Sequence, residues 1–291
     1  MLPRRCPACL SSKSLSAGAA NRFPLRRCGG CGTLFVGRLP SNPAEAEGYE
    51  RYYDAGNLEV PAFVERRLGE VAARFEQYRR DGRWLDVGCG AGTLMRAAAR
   101  RGWTVVGTEV APRAAEAVRA QGFEVHLGDL DSLRLPDESF DVVSLVEVVE
   151  HIPDPRELTQ TAGRLLRRGG ALYVTTPHGH GISARVLRSR WSAVAPPEHL
   201  QLFSLRGLEA VLAHAGLRPL DVRTHAVNPH ELLAACRRSP PDAGRRVETA
   251  YRLNETLVGH PAGARAKNAA NALLNRLRLG DAIKLVAERS G

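Results

Sequence analysis

Four cysteines at the start of the chain have the spacing of a metal site. Cys6 and Cys9 form one Cys-x-x-Cys turn, and Cys28 and Cys31 form a second one after eighteen intervening residues. Each turn can direct two thiolates at one ion, so the two turns complete a tetrahedral site of the structural zinc type. Two redox-active pairs are the alternative. Zinc is favoured because a head of about 40 residues has too few apolar side chains to fold without a cross-link such as a bound metal ion.

A glycine-rich turn between a predicted strand and a predicted helix could hold a ligand against the backbone. The strand 84–87 leads into Gly88, Gly90 and Gly92. Glycine lets a ligand approach closely there, and the amide groups of the helix face it. Glu109 ends the next strand, 21 residues after Gly88, where an open α/β sheet places an acid for the two hydroxyls of a ribose. The Gly-x-Gly-x-Gly spacing differs from that of dinucleotide sites and disfavours NAD.

A carboxylate and an apolar side chain follow the third predicted strand. Asp129 can accept the exocyclic amine of adenine, and Leu130 can cover the face of the base. Cys89 lies inside the glycine turn and Cys236 stands alone in the sequence. Neither has a base beside it, so we expect no nucleophilic cysteine.

Histidines follow the fourth and fifth predicted strands, at the edge where the carboxyl ends of parallel strands meet. His151 comes after strand four, His178 and His180 come after strand five, and His199 lies in a Pro-Glu-His-Leu segment further on. An imidazole can take the proton of a hydroxyl or an acidic carbon at neutral pH. His151, His199 and His178 are therefore candidate bases or substrate contacts, with a purely structural role as the alternative. The loop with His178 and His180 could form a lid.

The elements that must position these residues alternate between strand and helix. Apolar residues recur at helical spacing from Pro61 to Phe75, ahead of the glycine turn. Short apolar runs predict strands, at 84–87, 105–108, 123–127, 140–145, 171–175 and 217–222. The alternation predicts an α/β fold with a doubly wound sheet. We divide the chain into a zinc-ribbon head (1–40), a linker with an N-terminal helix (41–80) and a large domain (81–291).

Together these motifs resemble those of the class I, Rossmann-like methyltransferases that use S-adenosylmethionine. The likeness rests on five motifs in order, which are 86–92, Glu109, Gly128-Asp129, Phe140-Asp141 and Glu150-His151. The four-cysteine head, a Tyr-Tyr linker and the Pro-Glu-His-Leu segment are similar to one subgroup of this family. The family implies a seven-stranded sheet whose last strand returns antiparallel beside strand six. The best candidate is 282–287, which makes 229–280 a helical insertion.

The resemblance also implies which residues contact S-adenosylmethionine. The family's contacts map onto Asp86, Gly88, Gly90 and Gly92 at the methionine end, Glu109 at the ribose, and Asp129 and Leu130 at the adenine. Tyr53, in the aromatic position of the linker, would cover the cofactor; a packed tyrosine is the alternative. The family further implies that His151 opens a helix.

Charge is concentrated at two places in a chain that carries a net charge of +10. Residues 1–40 hold seven basic groups and no acid, and 229–280 hold nine against four. Such regions attract anionic substrates, nucleic acid or a membrane surface. The insertion could instead simply cap the core. With 44% apolar residues in 291, the composition excludes a disordered chain. We expect a cytoplasmic protein, because the N-terminus shows no signal peptide and no run suits a membrane span.

Three functions fit these observations. The first is methylation of a small or carrier-linked metabolite, such as a glycan, a nucleotide sugar or a secondary metabolite. The second is methylation of RNA, which the basic head favours but the lack of an Asn-Pro-Pro-Tyr type motif after strand four disfavours. Neither do the core strands carry the aromatic platform that single-stranded RNA stacks on. The third is a non-catalytic protein that senses S-adenosylmethionine or scaffolds a pathway.

Overall fold

A computed structural model describes residues 4–40, 60, 62–236 and 261–290. Seven strands form its larger sheet, and they are β4 (Arg83–Val87), β5 (Thr104–Glu109), β6 (Glu124–Leu127), β7 (Phe140–Val146), β8 (Leu166–Pro177), β10 (Leu217–His225) and β11 (Ala282–Arg289). Their order across the sheet is β10-β11-β8-β7-β4-β5-β6. Strand β11 runs antiparallel to both of its neighbours, β8 and β10. The predicted α/β sheet of seven strands and the predicted returning strand are therefore confirmed.

Helices cover both faces of this sheet. They are α1 (Ala62–Ala73), α2 (Thr93–Ala99), α3 (Pro112–Arg119), α4 (Pro155–Leu165), α5 (Ile182–Leu187), α6 (Leu205–His214), α7 (Pro229–Cys236) and α8 (Pro261–Leu277). Helix α4 begins after Asp154, whose carboxylate accepts the backbone N–H groups of Arg156 and Glu157. His151 therefore lies in the turn before this helix and does not open it. Among the described residues, no helix is both long and apolar enough to cross a membrane.

Strand β8 begins earlier than the sequence predicts. The segment 167–170, which precedes the predicted strand 171–175, belongs to β8 and forms an irregular pairing with β7. A Cβ added at Gly170 would lie 3.0 Å from the carbonyl oxygen of Asp141, so glycine permits this close approach. The Asp141 carboxylate forms an ion pair with Arg167 and also accepts the N–H of Gly82 at 2.7 Å. These tertiary contacts extend the strand beyond its apolar run.

The head is built into the rest of the molecule. Its sheet contains β1 (Ser14–Ala20), β2 (Phe23–Cys28), β3 (Leu34–Val36) and β9 (Gln201–Leu202). Strand β9 comes from the large predicted domain and pairs antiparallel with β3. Phe35 of the head is buried in the same apolar cluster as Leu85 and Phe203 of the core. Strand β3 thus joins the head to the core through a shared sheet.

Aromatic side chains pack α1 onto one face of the large sheet. Phe75 follows this helix and contacts Trp84 on β4 and Tyr173 on β8, with ring centroids 5.1 and 5.5 Å apart. Trp84 also contacts Trp103 edge-on at 5.3 Å. Such pairs contribute about 0.5–1.5 kcal/mol each beyond the burial of their area. This cluster fixes the end of α1 on one face of the sheet.

Candidate active site

The glycine turn connects β4 to α2 in a conformation that suits glycine alone. Gly88, Gly90 and Gly92 have φ angles of 65°, 52° and 70°, in the left-handed region. A Cβ added at Gly88 would lie only 2.9 Å from a methyl group of Val148, which follows β7. The turn is therefore shaped to keep its backbone bare and to contact the loop after β7.

Two buried carboxylates lie under this turn. Glu109, at the end of β5, accepts the N–H of Gly90 at 2.8 Å and also the N–H groups of Val110 and Ala111 at 2.8 and 3.0 Å. Asp86 accepts the hydroxyl of Ser144 at 2.6 Å. Burial, followed by the charge of Glu109, raises the pKa of Asp86 to about 7. A positively charged ligand group beside Asp86 would lower that pKa again.

The other predicted cofactor residues lie in different surroundings. Asp129 is exposed, and its carboxylate accepts the N–H of Ser132 at 2.8 Å. Leu130 is buried within the apolar core. Burial raises the pKa of the Cys89 thiol above its usual range, which keeps it protonated. Tyr53 lies outside the described residues.

His151 and His199 come together although 48 positions separate them in the sequence. Their rings lie edge to face with centroids 4.7 Å apart. The Nδ1 of His151 donates to the carbonyl of Glu198 at 2.8 Å, and the Nδ1 of His199 donates to the carbonyl of Ala193 at 2.7 Å. A carbonyl can only accept, so in the neutral rings both lone pairs are on Nε2. Burial and the charge of His199 lower the pKa of His151 to about 4, so His151 is neutral at pH 7.

A buried glutamate completes this cluster. Glu150 is fully buried, its Oε2 accepts the hydroxyl of Thr176 at 2.9 Å, and its Oε1 has no hydrogen-bond partner among the described residues. The ligand atoms of Glu150, His151 and His199 lie within 4.8 Å of one another. Burial, and then the charge of Glu147, raises the pKa of Glu150. This donor set can accept a proton or bind a divalent cation.

Sequence reasoning did not assign roles to Glu147 and Glu150. Glu147 follows β7 with a φ of 55°, unusual for a residue with a side chain, and its Oε1 accepts the hydroxyl of Thr175 at 2.8 Å. The available signal was two acids three positions apart directly after a strand. Their mutual proximity was visible there, whereas the complete burial of Glu150 was not.

His178 and His180 connect distant segments of the chain. The Nδ1 of His178 donates to the carbonyl of Gly280 at 2.9 Å, and the ring is almost completely buried. Burial lowers the pKa of His178 to about 4. The Nε2 of His180 donates to the carbonyl of Gly32 in the head at 2.9 Å. The loop predicted as a lid is thus hydrogen-bonded to the head and to the segment before β11.

The four head cysteines form one cluster. Their sulfur atoms lie within 4.8 Å of one another; Cys6 and Cys31 are 3.6 Å apart, and Cys9 and Cys28 are 3.5 Å apart. All four are free thiols. A tetrahedral ion with Zn–S bonds of about 2.3 Å requires S–S separations of about 3.8 Å. The N–H of Gly30 also points at the sulfur of Cys28, 3.3 Å away.

Comparison with known proteins supports the methyltransferase fold. A family described as a methyltransferase domain matches residues 60–222. Ubiquinone biosynthesis O-methyltransferase of Paracidovorax citrulli is 30% identical over 165 residues, covering 53% of this chain and 61% of the relative. The enzyme of that name from Xanthomonas oryzae pv. oryzae (strain PXO99A) is 34% identical over 135 residues, covering 43% and 56%. The chain therefore spans less than two thirds of the length of these relatives.

Solved structures share the architecture at low sequence identity. A methyltransferase of Thermotoga maritima, described as a possible histamine N-methyltransferase, has a TM-score of 0.53 at 19% identity and covers 83% of this chain and 98% of that one. A putative sarcosine dimethylglycine methyltransferase from Galdieria sulphuraria also has a TM-score of 0.53, at 18% identity, with 78% and 85% covered. The family match covers more than half of the chain, and the strand order agrees with it. The chain therefore belongs to the methyltransferase-domain family and has the class I, Rossmann-like fold.

Proposed function

We propose that this protein methylates a hydroxyl group of a small or carrier-linked acceptor, with a glycan, a nucleotide sugar or a secondary metabolite as the expected classes. The observation that carries the proposal is the pair of imidazoles, His151 and His199, at the carboxyl edge of the sheet. A hydroxyl must lose its proton during the reaction, and the Nε2 lone pairs can receive it. The O-methyltransferase names of the curated relatives support oxygen as the acceptor atom.

The glycine turn and its two carboxylates fit S-adenosylmethionine. The left-handed conformations at Gly88, Gly90 and Gly92 keep the backbone of the turn bare for a ligand, and the buried Asp86 can ionise when a cationic group binds. We assign the methionine end to Asp86, Gly88, Gly90 and Gly92, the ribose to Glu109, the adenine to Asp129 and Leu130, and the cover to Tyr53. When bound, the cofactor supplies an electrophilic methyl group on a sulfonium.

The chain's own residues align the acceptor and hold its proton. Val148 touches the glycine turn, and Glu150 and His151 follow within three positions, so the base lies next to the cofactor cradle. Alignment of the two reactants contributes up to ~7–11 kcal/mol of the barrier. An imidazole of His151 or His199 takes the hydroxyl proton on Nε2. The positive charge of the imidazolium would favour the ionised form of Glu150, whose ligand atoms lie within 4.8 Å of those of both histidines, and the pair of charges would stabilise each other.

We assign a structural zinc ion to Cys6, Cys9, Cys28 and Cys31. The sulfur separations fit tetrahedral coordination, and the amide of Gly30 can stabilise thiolate charge. Four protein ligands leave no open position, so the ion would cross-link the head and take no part in methyl transfer. The cross-linked head would hold β3 against β9. Strand β9 in turn directly precedes Ser204, the N-cap of α6.

The proposal is tested by following isotope-labelled methyl groups from S-adenosylmethionine. Purified protein is incubated with phenols, catechols, sugars, nucleotide sugars and bulk RNA, and the labelled product is identified by mass spectrometry. We expect label on a small hydroxyl compound. His151→Gln and His199→Gln should each lower kcat about 100-fold or more without changing cofactor affinity. His126→Gln, on the edge strand β6, is the matched control. Label on RNA alone, or full activity in both variants, contradicts the proposal.

A further inference from the structure

Positive charge is concentrated at the carboxyl edge of the sheet, in a cationic cluster of Arg67 on α1, Lys267 on α8 and Lys284 on β11. Lys284 on β11 pairs with Thr175 on β8 and with Arg223 on β10. Side chains alternate along a strand, so Lys284 shares a sheet face with Val286, which packs with the aromatic cluster under α1. Lys284 is one step closer to the carboxyl edge than that cluster.

Helix α1 contributes a second cation to this cluster. Arg74 pairs with Asp221 on β10 at 2.5 Å, which fixes the end of the helix on this strand. Arg67 lies two turns earlier on the same helix face, about 10 Å away. His225 lies four residues beyond Asp221 on β10, about 13 Å along the strand. Arg67 therefore lies over the His225 end, and its charge lowers the pKa values of both His225 and Lys284, in each case after burial as the larger cause.

Helix α8 contributes the third cation of this cluster. Asn275 accepts the N–H of Thr224 at 2.9 Å, and Asn271 accepts the N–H of Ala226 at 3.0 Å, which fastens the helix along the end of β10. Lys267 is one turn before Asn271 on the same helix face. Burial and the charge of Arg67 lower the pKa of Lys267. Cations from α1, α8 and β11 thus converge on one site.

The positive charge of the cationic cluster is poorly compensated by acidic groups. Among the residues that the structure describes, neither Lys284 nor Arg67 forms a salt bridge, and the Nδ1 of His225 is buried without a hydrogen-bond partner. Burial and the charges of Arg67 and Arg74 lower the pKa of Lys284 to about 8, although Glu147 and Glu70 oppose this shift. Holding such groups together costs free energy that a bound anion would recover.

The cationic cluster lies near the proposed reaction centre at His151 and His199. Thr175, the strand partner of Lys284, donates its hydroxyl to Glu147, and Glu147 interacts electrostatically with both Lys284 and Glu150. We propose that Lys284, Arg67 and His225 bind an anionic group of the methyl acceptor, a carboxylate or a phosphoryl group, and so hold its hydroxyl at His151 and His199. This inference rests on the function proposed above and specifies the chemistry of its substrate.

Lysine labelling tests the site without a known substrate. The chain has three lysines, Lys13, Lys267 and Lys284, so acetic anhydride at pH 8 followed by peptide mass spectrometry reports each one separately. Inorganic phosphate and benzoate serve as probes, with sodium chloride at matched ionic strength as the screening control. We expect either probe to slow acetylation of Lys284 about threefold or more, at concentrations near about 10 mM. The exposed Lys13 should be unaffected.

Two variants on α1 make the test specific. Arg67→Gln should raise about tenfold the probe concentration that gives the same protection of Lys284. Arg66→Gln removes the same charge on the side of the helix facing α2, where Arg66 lies near Ala97 and Arg100, and should leave protection unchanged. Protection by phosphate alone or by benzoate alone identifies the kind of anion, and either result supports the proposal.

Acetylation of Lys284 at an equal rate with both probes and with chloride overturns the anion site. Equal loss of protection in Arg66→Gln and Arg67→Gln also overturns it, since nonspecific charge would then suffice. Calorimetry with S-adenosylmethionine on the same samples separates this failure from failure of the proposed function. Protein that binds the cofactor but gives no protection refutes only the anion site. Protein that gives protection but does not bind the cofactor refutes only the proposed function.

Discussion

Replacing Ser204 with alanine should show how firmly the head is fastened to the core. The buried hydroxyl of Ser204 accepts the N–H of Gly207 at 2.9 Å as the N-cap of α6, and donates to the carbonyl of Cys31 at 2.5 Å. Loss of an N-cap costs about 1 kcal/mol. Leaving the Cys31 carbonyl buried and unpaired costs about 1–2 kcal/mol more. We therefore expect Ser204→Ala to lower the free energy of unfolding by about 2–3 kcal/mol.

The surroundings of Ser204 leave little room for this loss to be relieved. A Cβ added at Gly207 would lie 2.0 Å from the hydroxyl of Thr33, so the head already packs tightly against the start of α6. Urea unfolding followed by circular dichroism and by release of bound metal measures the change. For a chain of this size, the expected loss lowers the melting temperature by about 5–10 °C.

Asp154→Ala is the matched control for this prediction. Asp154 caps α4 through the N–H groups of Arg156 and Glu157, and its side chain is exposed. Its loss should cost about 1 kcal/mol. If Ser204→Ala costs no more than Asp154→Ala, the bond to Cys31 adds nothing, and the reasoning that the head is fastened at this point is refuted.

Three further predictions concern the ligands. Glu109→Ala should weaken binding of S-adenosylmethionine by about 2–3 kcal/mol in calorimetry, because charge-assisted hydrogen bonds to the ribose are lost; unchanged affinity in a folded variant contradicts the assignment. Affinity for the cofactor should be about tenfold weaker at pH 6 than at pH 8, since the pKa of Asp86 is raised to about 7 and only its ionised form pairs with a cation. Asp86→Asn should abolish this pH dependence, and a dependence that survives in that variant excludes Asp86 as its source. Purified protein should contain one zinc ion, and Cys28→Ser should release it and destabilise the head while cofactor affinity persists; metal-free wild-type protein with all four thiols in disulfides rules out the zinc site.

Six of the seven strands could be predicted from the sequence because their signals are local, and the family resemblance implied the seventh. Buried parallel strands appear as short apolar runs, and glycine turns separate them from helices, so positions such as 84–87 and 140–145 agree with β4 and β7 within a residue or two. The start of β8 could not be predicted this way, because an ion pair between Arg167 and Asp141 on another strand stabilises it. Local apolarity carries no record of such a contact.

The cysteine cluster and the glycine turn were determined by the sequence itself. In each, the functional groups lie within a few residues of one another, so their spacing limits their geometry. Cys6 and Cys9 must face together across one turn, and Gly88 and Gly90 must occupy backbone conformations that other residues avoid.

Tertiary structure alone decided how distant groups combine. Packing brings His151 against His199, buries Glu150 and pairs β9 with the head. Each pairing depends on the path of the chain between its members and on desolvation, which depends on all of the surrounding atoms. The chemical groups can be read one by one along the chain. Their pKa values and their partners are set only in the folded protein, because electrostatic interactions depend on distance and burial in three dimensions.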